Sequence, residues 1–170
     1  MSEPLVSVLL PVRDPGPYLK DCIASLDRQT LSDFEVVAVD DGSTDGSARS
    51  VGAWLASKST PPGWSLIEAP HRGAAAARNT GLGAVRDCER VVFLDSDDTW
   101  PMDFLDRALA LFDASPGLVG ASADRRVVDS TKPAPWLERL SGLCDDPSEW
   151  VIRNGSGIGS CSGRAPRYMV

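Results

Sequence analysis

The sequence predicts an α/β fold of three layers, in which helices cover both faces of a mostly parallel β-sheet. Short aliphatic and β-branched segments alternate along the chain with segments whose apolar residues recur at helical spacing. Several of the apolar segments end directly at turns that contain aspartate. This alternation favours a parallel sheet, because a crossover between parallel strands needs room for a helix.

Two strand and helix pairs are predicted at the beginning of the chain. Residues 5–12, LVSVLLPV, are nearly all aliphatic, as is typical of a strand buried on both faces. Pro17 suits the first turn of a helix over 18–29, whose apolar residues repeat at helical spacing. Residues 34–39 predict the next strand, and a helix from about 45 to 57 follows its Gly/Ser turn.

The middle of the chain continues the pattern. Strands are predicted over 64–69 and 90–94, with an Ala-rich helix between them whose small side chains let it lie close to the sheet. Pro101 opens a helix that we expect to end near Ala114, and one or two further strands are expected within 118–129.

Beyond residue 130 the pattern weakens. A helix capped by Asp146 is one option there, and the Gly/Ser-rich end of the chain contains no predicted closing element. We therefore divide the chain into a core, residues 1–129, and a region, residues 130–170, that begins a second functional part and is expected to be truncated.

Composition and charge restrict the class of protein. Hydrophobic residues make up 42% of the 170 residues and charged residues 24%, as in ordinary globular domains. The net charge of −7 and the lack of a Lys/Arg block disfavour nucleic acid as a partner. No apolar segment reaches the ~20 residues of a transmembrane helix, and no basic leader precedes the first strand, so we expect a cytoplasmic location with peripheral membrane association left open. The four cysteines are too widely spaced for a metal site and are expected to be reduced.

An acidic cluster follows the strand predicted over 90–94. Residues 95–98, DSDD, place three carboxylates together, although a helix cap needs only one. Their mutual repulsion raises a pKa or destabilises the loop unless a cation neutralises them. Asp95 and Asp97 are therefore candidate ligands for Mg²⁺ or Mn²⁺, hard ions that favour a few carboxylates, waters and phosphates.

Other polar clusters are expected at the same edge of the sheet. The carboxyl ends of parallel strands line the ligand crevice, and PVRD (11–14) and DDGS (40–43) stand at such ends, with AARN (76–79) at a further candidate place. Taken singly, DDGS is also an ordinary turn and cap, and the arginines of the Ala-rich helix are equally expected as solvated residues. The lone His71 is expected at the surface rather than in a site.

Four segments together resemble the nucleotide-binding half of family 2 glycosyltransferases, inverting enzymes of the Rossmann-like GT-A fold. They are VSVLLPVRD, CIASLDRQTLSDFEVVAVDDGSTDGS, GAAAARNTGLGAV and VVFLDSDDTW. The similarity runs from about Val6 to Asp124 with family-like order and spacing. It implies metal-dependent transfer from a nucleoside diphosphate sugar, commonly a UDP-sugar, to a sugar, lipid-linked or protein acceptor, as in cell wall or polysaccharide biosynthesis.

The resemblance also implies roles for single residues. The backbone of 11–12 is similar to the family's contacts to the base, and Asp41 to the carboxylate that accepts from the uracil imide. Arg78 matches a residue that approaches the phosphates, while Asp95 lies toward the ribose and Asp97 on the Mn²⁺ or Mg²⁺ ion. The complete expected nucleotide-binding set is Pro11, Val12, Arg13, Asp14, Asp41, Gly42, Ser43, Arg78, Asn79, Asp95 and Ser96.

The chain departs from the family pattern in two ways. Arg13 and Asp14 stand where the family commonly has an aromatic residue and Asn, which puts aromatic packing on the base in question, although arginine also stacks on rings. The family's general base is an Asp or Glu in the acceptor-binding half. No such residue is identifiable in this chain, and the base is expected beyond Val170.

Two other functions fit the same residues. A remnant that binds metal and nucleotide without turnover is the first. The second is a haloacid-dehalogenase-like phosphatase, because DSDDT matches D-x-D-x-T with Asp95 as nucleophile and Asp97 as acid/base. That motif belongs on the first strand of its fold, and here it follows the fourth. A receiver-type switch is disfavoured, since its acids follow the first and third strands.

Overall fold

The computed structural model of the chain describes residues 4–58, 64–85, 90–115 and 120–121, together with the backbone of 167–169. Within these ranges strands and helices alternate in chain order, as the sequence predicts. The elements are β1 (Val6–Val12), α1 (Tyr18–Asp27), β2 (Phe34–Asp40), α2 (Ser47–Ser57), β3 (Ser65–Glu68), α3 (Ala74–Ala84), β4 (Arg90–Phe93), α4 (Phe104–Ala114), β5 (Gly120–Ala121) and β6 (Arg167–Met169).

The strands form one sheet in the order β3-β2-β1-β4-β6-β5, and every pairing between described strands is parallel. β1 lies inside the sheet, where Val8 is opposite Val36 of β2 and Val92 of β4. Because these strands run in the same direction, their carboxyl ends meet at one edge. The predicted α/β fold with a mostly parallel sheet is confirmed.

Apolar residues on both faces of the sheet produce the three layers. On one face Val8 and Leu10 belong to a buried cluster that includes residues of α1, α2 and α4. On the other face Leu9 belongs to a second cluster with Ala77 of α3. Each aliphatic side chain buried in this way contributes about 1.5–3 kcal/mol relative to exposure in water. The continuous aliphatic sequence of β1 is therefore explained by burial on both sides.

α3 lies close to the sheet because its sheet-facing residue is a glycine. A Cβ atom on Gly81 would lie 3.1 Å from Leu9 Cδ2 and 3.3 Å from Val39 Cγ2. Both distances are shorter than ordinary van der Waals contact, so a larger side chain requires the neighbours to move. The close approach predicted from the Ala-rich sequence is thus confirmed.

Two helices begin later than the sequence predicts. The helix expected from Pro101 begins at Phe104, because 101–103 form a turn in which the Phe104 N–H donates to the Pro101 carbonyl at 3.2 Å. The helix expected from about residue 45 begins at Ser47. Asp45 instead holds the turn before it, since its Oδ1 accepts the Ser47 N–H at 2.9 Å.

The sequence pattern did not predict β6. Arg167–Met169 pairs in parallel with β4 and with β5, so the end of the chain contributes a strand to the sheet. A segment of three residues carries too little periodicity to identify a strand by pattern. The helix proposed at Asp146 and the division between residues 129 and 130 lie outside the described residues. In the described part of the chain, no helix has the length and apolarity to cross a membrane.

Candidate functional site

A cleft of about 410 Å³ opens at the carboxyl edge of the sheet. Its walls come from the end of β1 and the loop after it, from Asp41 after β2, from the first turns of α3, and from 95–97 after β4. Most of the expected nucleotide-binding residues and metal ligands line this cleft. They are Pro11, Val12, Arg13, Asp14, Asp41, Arg78, Asp95, Ser96 and Asp97. Residues distant in sequence are therefore brought together by the parallel sheet.

Three expected residues do not line the cleft. Gly42 packs against the side chain of Arg13. A Cβ atom on Gly42 would lie 3.1 Å from Arg13 Nη1. Ser43 holds the loop instead, because its Oγ accepts the Asp14 N–H at 3.1 Å. Asn79 is an exposed residue of α3. Direct ligand contact by these three residues stays a prediction, and in the structure two of them hold the loop after β1 through Arg13 and Asp14.

Asp41 is the buried carboxylate of the cleft, with 3% of its surface exposed. Oδ1 accepts the Arg72 N–H at 2.7 Å and Oδ2 accepts the Gly73 N–H at 2.9 Å. Gly73 has a φ of 91°, which an L side chain rarely adopts, so glycine is needed for this turn. The backbone hydrogen bond from Arg72 is the largest of the causes that lower the Asp41 pKa. The carboxylate is therefore charged and fixed in orientation at neutral pH.

His71 is part of the site, although its sequence context predicts only a surface residue. Its side chain is 58% exposed, and Nδ1 lies 2.7 Å from Asp41 Oδ2. Since an ionised carboxylate only accepts hydrogen bonds, Nδ1 carries the proton in this contact. The predicted surface position is confirmed, whereas the contact with Asp41 was not predicted. A single histidine before a helix carries no sequence signal that it will reach a carboxylate on another strand.

Arg13 and Asp14 tie the loop after β1 to the loop after β2. Arg13 Nη1 donates to the Asp41 carbonyl at 2.7 Å and also to the Gly42 carbonyl, while Nε lies 3.0 Å from Asp14 Oδ2. Asp14 Oδ1 accepts the Thr44 N–H at 2.6 Å, and this bond is the largest cause of its lowered pKa. The guanidinium of Arg13, an expected nucleotide-binding residue, is thus engaged by the protein's own carbonyls.

The acidic loop is paired with α3. Arg78 Nη2 donates to Asp95 Oδ1 at 2.5 Å, and the Asp98 N–H donates to the Asp95 carbonyl at 3.0 Å. Ser96 is buried, whereas Asp97 is exposed. The described residues contain no group of three or more His, Cys, Asp or Glu arranged to hold a metal. Two carboxylates still suit Mg²⁺ or Mn²⁺, because these ions take few protein ligands and complete their shells with water and phosphate oxygens.

Cys22 of α1 lies beneath the acidic loop. Its thiol donates to the Asp95 carbonyl, with 3.7 Å between Sγ and oxygen. Burial raises the pKa of Cys22 to about 12, and the negative charges of Asp98, Asp97 and Asp95 act in the same direction. A thiol that stays protonated is a weak nucleophile, and its contact with the Asp95 carbonyl is structural.

A family model described as "Glycosyl transferase family 2" matches residues 7–156. Among curated relatives, the succinoglycan biosynthesis protein ExoW of Rhizobium meliloti is 40% identical over 103 residues, which cover 59% of this chain and 31% of ExoW. The chain spans 26–31% of the length of the first three curated relatives that it matches.

Two solved structures share the fold. Mannosyltransferase PcManGT from Pyrobaculum calidifontis, in complex with GDP-Man and Mn²⁺, matches with a TM-score of 0.63 and 31% identity over 75% of this chain and 37% of that one. S. aureus TarS 1-349 in complex with UDP-GlcNAc matches with a TM-score of 0.60 and 27% identity over 74% of this chain and 37% of that one.

Proposed function

The chain belongs to glycosyl transferase family 2, and from that premise we propose that it binds a nucleoside diphosphate sugar and transfers the sugar to an acceptor hydroxyl. The observation that carries the proposal is the cleft at the carboxyl edge of the sheet. There a fixed, charged acceptor (Asp41), a cation (Arg78) and two further carboxylates (Asp95, Asp97) line the same cleft. A nucleoside diphosphate sugar presents hydrogen-bond donors on its base and negative charge on its diphosphate, and these groups complement that lining.

Asp41 favours a base that offers an N–H group. Its carboxylate accepts hydrogen bonds only, so it suits the imide of uracil or the ring N–H of guanine and not the ring nitrogens of adenine. Among structural neighbours, one is in complex with UDP-GlcNAc and another with GDP-Man. We propose a UDP-sugar as the donor, with a GDP-sugar as the second choice.

The diphosphate end of the donor is assigned to Arg78, Asp95 and Asp97. Asp97, with Asp95, would hold Mn²⁺ or Mg²⁺, and a bound ion of this kind acts as a Lewis acid on the leaving diphosphate. Arg78 donates a hydrogen bond to Asp95 in this structure. A phosphate oxygen, which is negatively charged like the Asp95 carboxylate, would give the guanidinium a second acceptor. Arg78 thereby supplies positive charge at the position where negative charge develops.

The acceptor half of the reaction is assigned more coarsely. We propose that residues 1–129 carry donor binding and that residues 130–170 begin the acceptor-binding part. An Asp or Glu of the acceptor-binding part, which is not identified in this chain, would take the proton of the acceptor hydroxyl as its oxygen attacks the anomeric carbon and the nucleoside diphosphate leaves. Because one relative is named as a succinoglycan biosynthesis protein, ExoW, we propose a polysaccharide-related acceptor. A cytoplasmic location stays a prediction.

Calorimetric titration of the full chain tests the donor assignment. UDP, GDP and ADP are each titrated with and without Mn²⁺, and release of sugar from UDP-GlcNAc and GDP-mannose is measured beside them. We expect UDP to bind most tightly, with Mn²⁺ required, and ADP to bind weakly. Failure of all three nucleotides to bind in the presence of Mn²⁺ contradicts the proposal.

Two alternatives are distinguished by the same experiments. Binding without turnover under any acceptor condition supports the nucleotide-binding remnant. Phosphate release from a simple phosphomonoester, independent of nucleotide, supports the phosphatase. Family membership argues against the phosphatase. The position of the motif does so as well, because the phosphatase motif belongs on the first strand of its fold, whereas DSDDT follows β4.

A further inference from the structure

Tyr18 is an exposed aromatic side chain at the cleft that the proposed function has not used. It is 60% exposed, and the other large apolar residues exposed in the described ranges are Leu5 and Met102. Of the three, only Tyr18 lines the cleft. An aromatic ring left in water on a cleft wall gains favourable contact when a ligand covers it.

The contacts of α1 indicate which part of the cleft Tyr18 lies toward. α1 follows β1 directly, so its first residue lies at the carboxyl edge of the sheet. Tyr18 is one turn before Cys22, and residues four apart share a helix face. Since the Cys22 thiol donates to the Asp95 carbonyl, that face is directed toward the loop of Asp95 and Asp97.

The opposite end of the cleft already has its own contacts. Asp41 follows β2, and β2 and β4 lie on opposite sides of β1. His71 and the backbone of Arg72 are held against Asp41, so this group belongs to the β2 side. Tyr18 lines the same cleft as both groups, and the helix face that it shares with Cys22 favours a position near the carboxylates assigned to the diphosphate.

We propose that the ring of Tyr18 packs against the donor sugar and makes the cleft prefer a nucleoside diphosphate sugar to the bare nucleoside diphosphate. The inference rests on the proposed function. One face of a pyranose presents C–H groups, which an aromatic face covers well, whereas a diphosphate offers an aromatic ring no such surface. The contact needs the ring and not the phenolic hydroxyl.

The test compares two pairs of ligands across the wild type and three variants of the full chain. Affinities for UDP-GlcNAc and UDP, and for GDP-mannose and GDP, are measured with Mn²⁺ for the wild type, Tyr18→Ala, Tyr18→Phe and Met102→Ala. Met102 is as exposed as Tyr18 and lies outside the cleft lining, so it controls for loss of an exposed apolar side chain.

We expect Tyr18→Ala to lose about five- to tenfold in affinity for the sugar nucleotide and nothing for the bare nucleotide. Tyr18→Phe and Met102→Ala keep the wild-type affinities.

Three results overturn the inference. An unchanged affinity of Tyr18→Ala for the sugar nucleotide means that the ring does not touch the sugar. An equal loss for sugar nucleotide and bare nucleotide means that it contacts a part that both ligands share. If the wild type binds none of the four ligands, the proposed function fails and this inference fails with it, whereas the first two results leave donor binding intact.

Discussion

Asp41 is the residue to which we assign recognition of the base. Its two oxygens accept hydrogen bonds from two backbone N–H groups and from His71, which fix the plane of the carboxylate before a ligand arrives. A group held in position needs no ordering when a base N–H approaches, and this preorganisation favours binding. The same hydrogen bonds keep its pKa low, with the Arg72 backbone bond as the largest cause.

Replacement of Asp41 by Asn is expected to weaken UDP binding about tenfold. The amide nitrogen of Asn donates hydrogen bonds where a carboxylate oxygen accepts them, and it would face the N–H groups that now donate to Asp41. ADP, which offers no ring N–H at this position, loses much less. Calorimetric titration with both nucleotides measures the difference. Asp21→Asn, a change at an exposed carboxylate of α1, is the matched control. An equal loss for both nucleotides, at an unchanged melting temperature, would contradict a role of Asp41 in reading the base.

At the scale of elements, the loops after β1 and β2 are joined by two carboxylates. Asp14, in the first loop, accepts the Thr44 N–H, and Asp45, in the second, accepts the Gly16 N–H at 2.9 Å. The pKa of each carboxyl is lowered from its ordinary value, that of Asp14 chiefly by the Thr44 backbone bond and that of Asp45 chiefly by its bond with the Ser47 side chain. Each therefore accepts its hydrogen bonds as a charged group.

These two depressed pKa values predict how stability depends on pH. A carboxylate whose folded pKa is lowered contributes stability above its unfolded pKa, near 3.8, and this contribution is lost as pH falls through the folded value. Urea midpoints followed by tryptophan fluorescence should be nearly constant from about pH 7 to 5 and fall below about pH 4. Asp45→Asn keeps a turn-forming side chain without the charge, so its midpoint should fall less steeply. Identical slopes for the two proteins would contradict the assignment to Asp45.

The packing of α3 on the sheet makes a second prediction at this scale. Gly81→Leu is expected to lower the free energy of unfolding by about 1–3 kcal/mol, because Leu9 and Val39 occupy the space. Gly83 lies two residues further on the same helix, and a Cβ there meets nothing within 4 Å. Gly83→Ala should therefore raise stability by about 0.5–1 kcal/mol through helix propensity. Denaturant unfolding of both variants gives the values, and similar effects of the two changes would contradict the packing argument.

At the scale of the whole molecule, the features that could be predicted from the sequence are those that follow from regular patterns of residues. The aliphatic β1, the Ala-rich α3 and the aspartates after β2 and β4 are local signals, and parallel strands bring their ends to one edge whatever the details. β6 and the His71 contact with Asp41 were missed because they depend on which distant segments meet. Arg13 was placed at the right edge, yet its partners are backbone carbonyls of another loop, which residue type alone does not indicate.

The proposed donor binding depends on a divalent ion that links the acidic loop to a diphosphate. The most direct measurement is the affinity for UDP, with and without Mn²⁺, of the wild type, Asp97→Ala and Asp103→Ala. Asp103 is an exposed aspartate in the turn before α4 and lies outside the cleft lining, so it serves as the control. We expect Mn²⁺ to strengthen UDP binding in the wild type and in Asp103→Ala and to have no effect in Asp97→Ala. Equal Mn²⁺-dependent affinity in all three proteins would contradict the central claim.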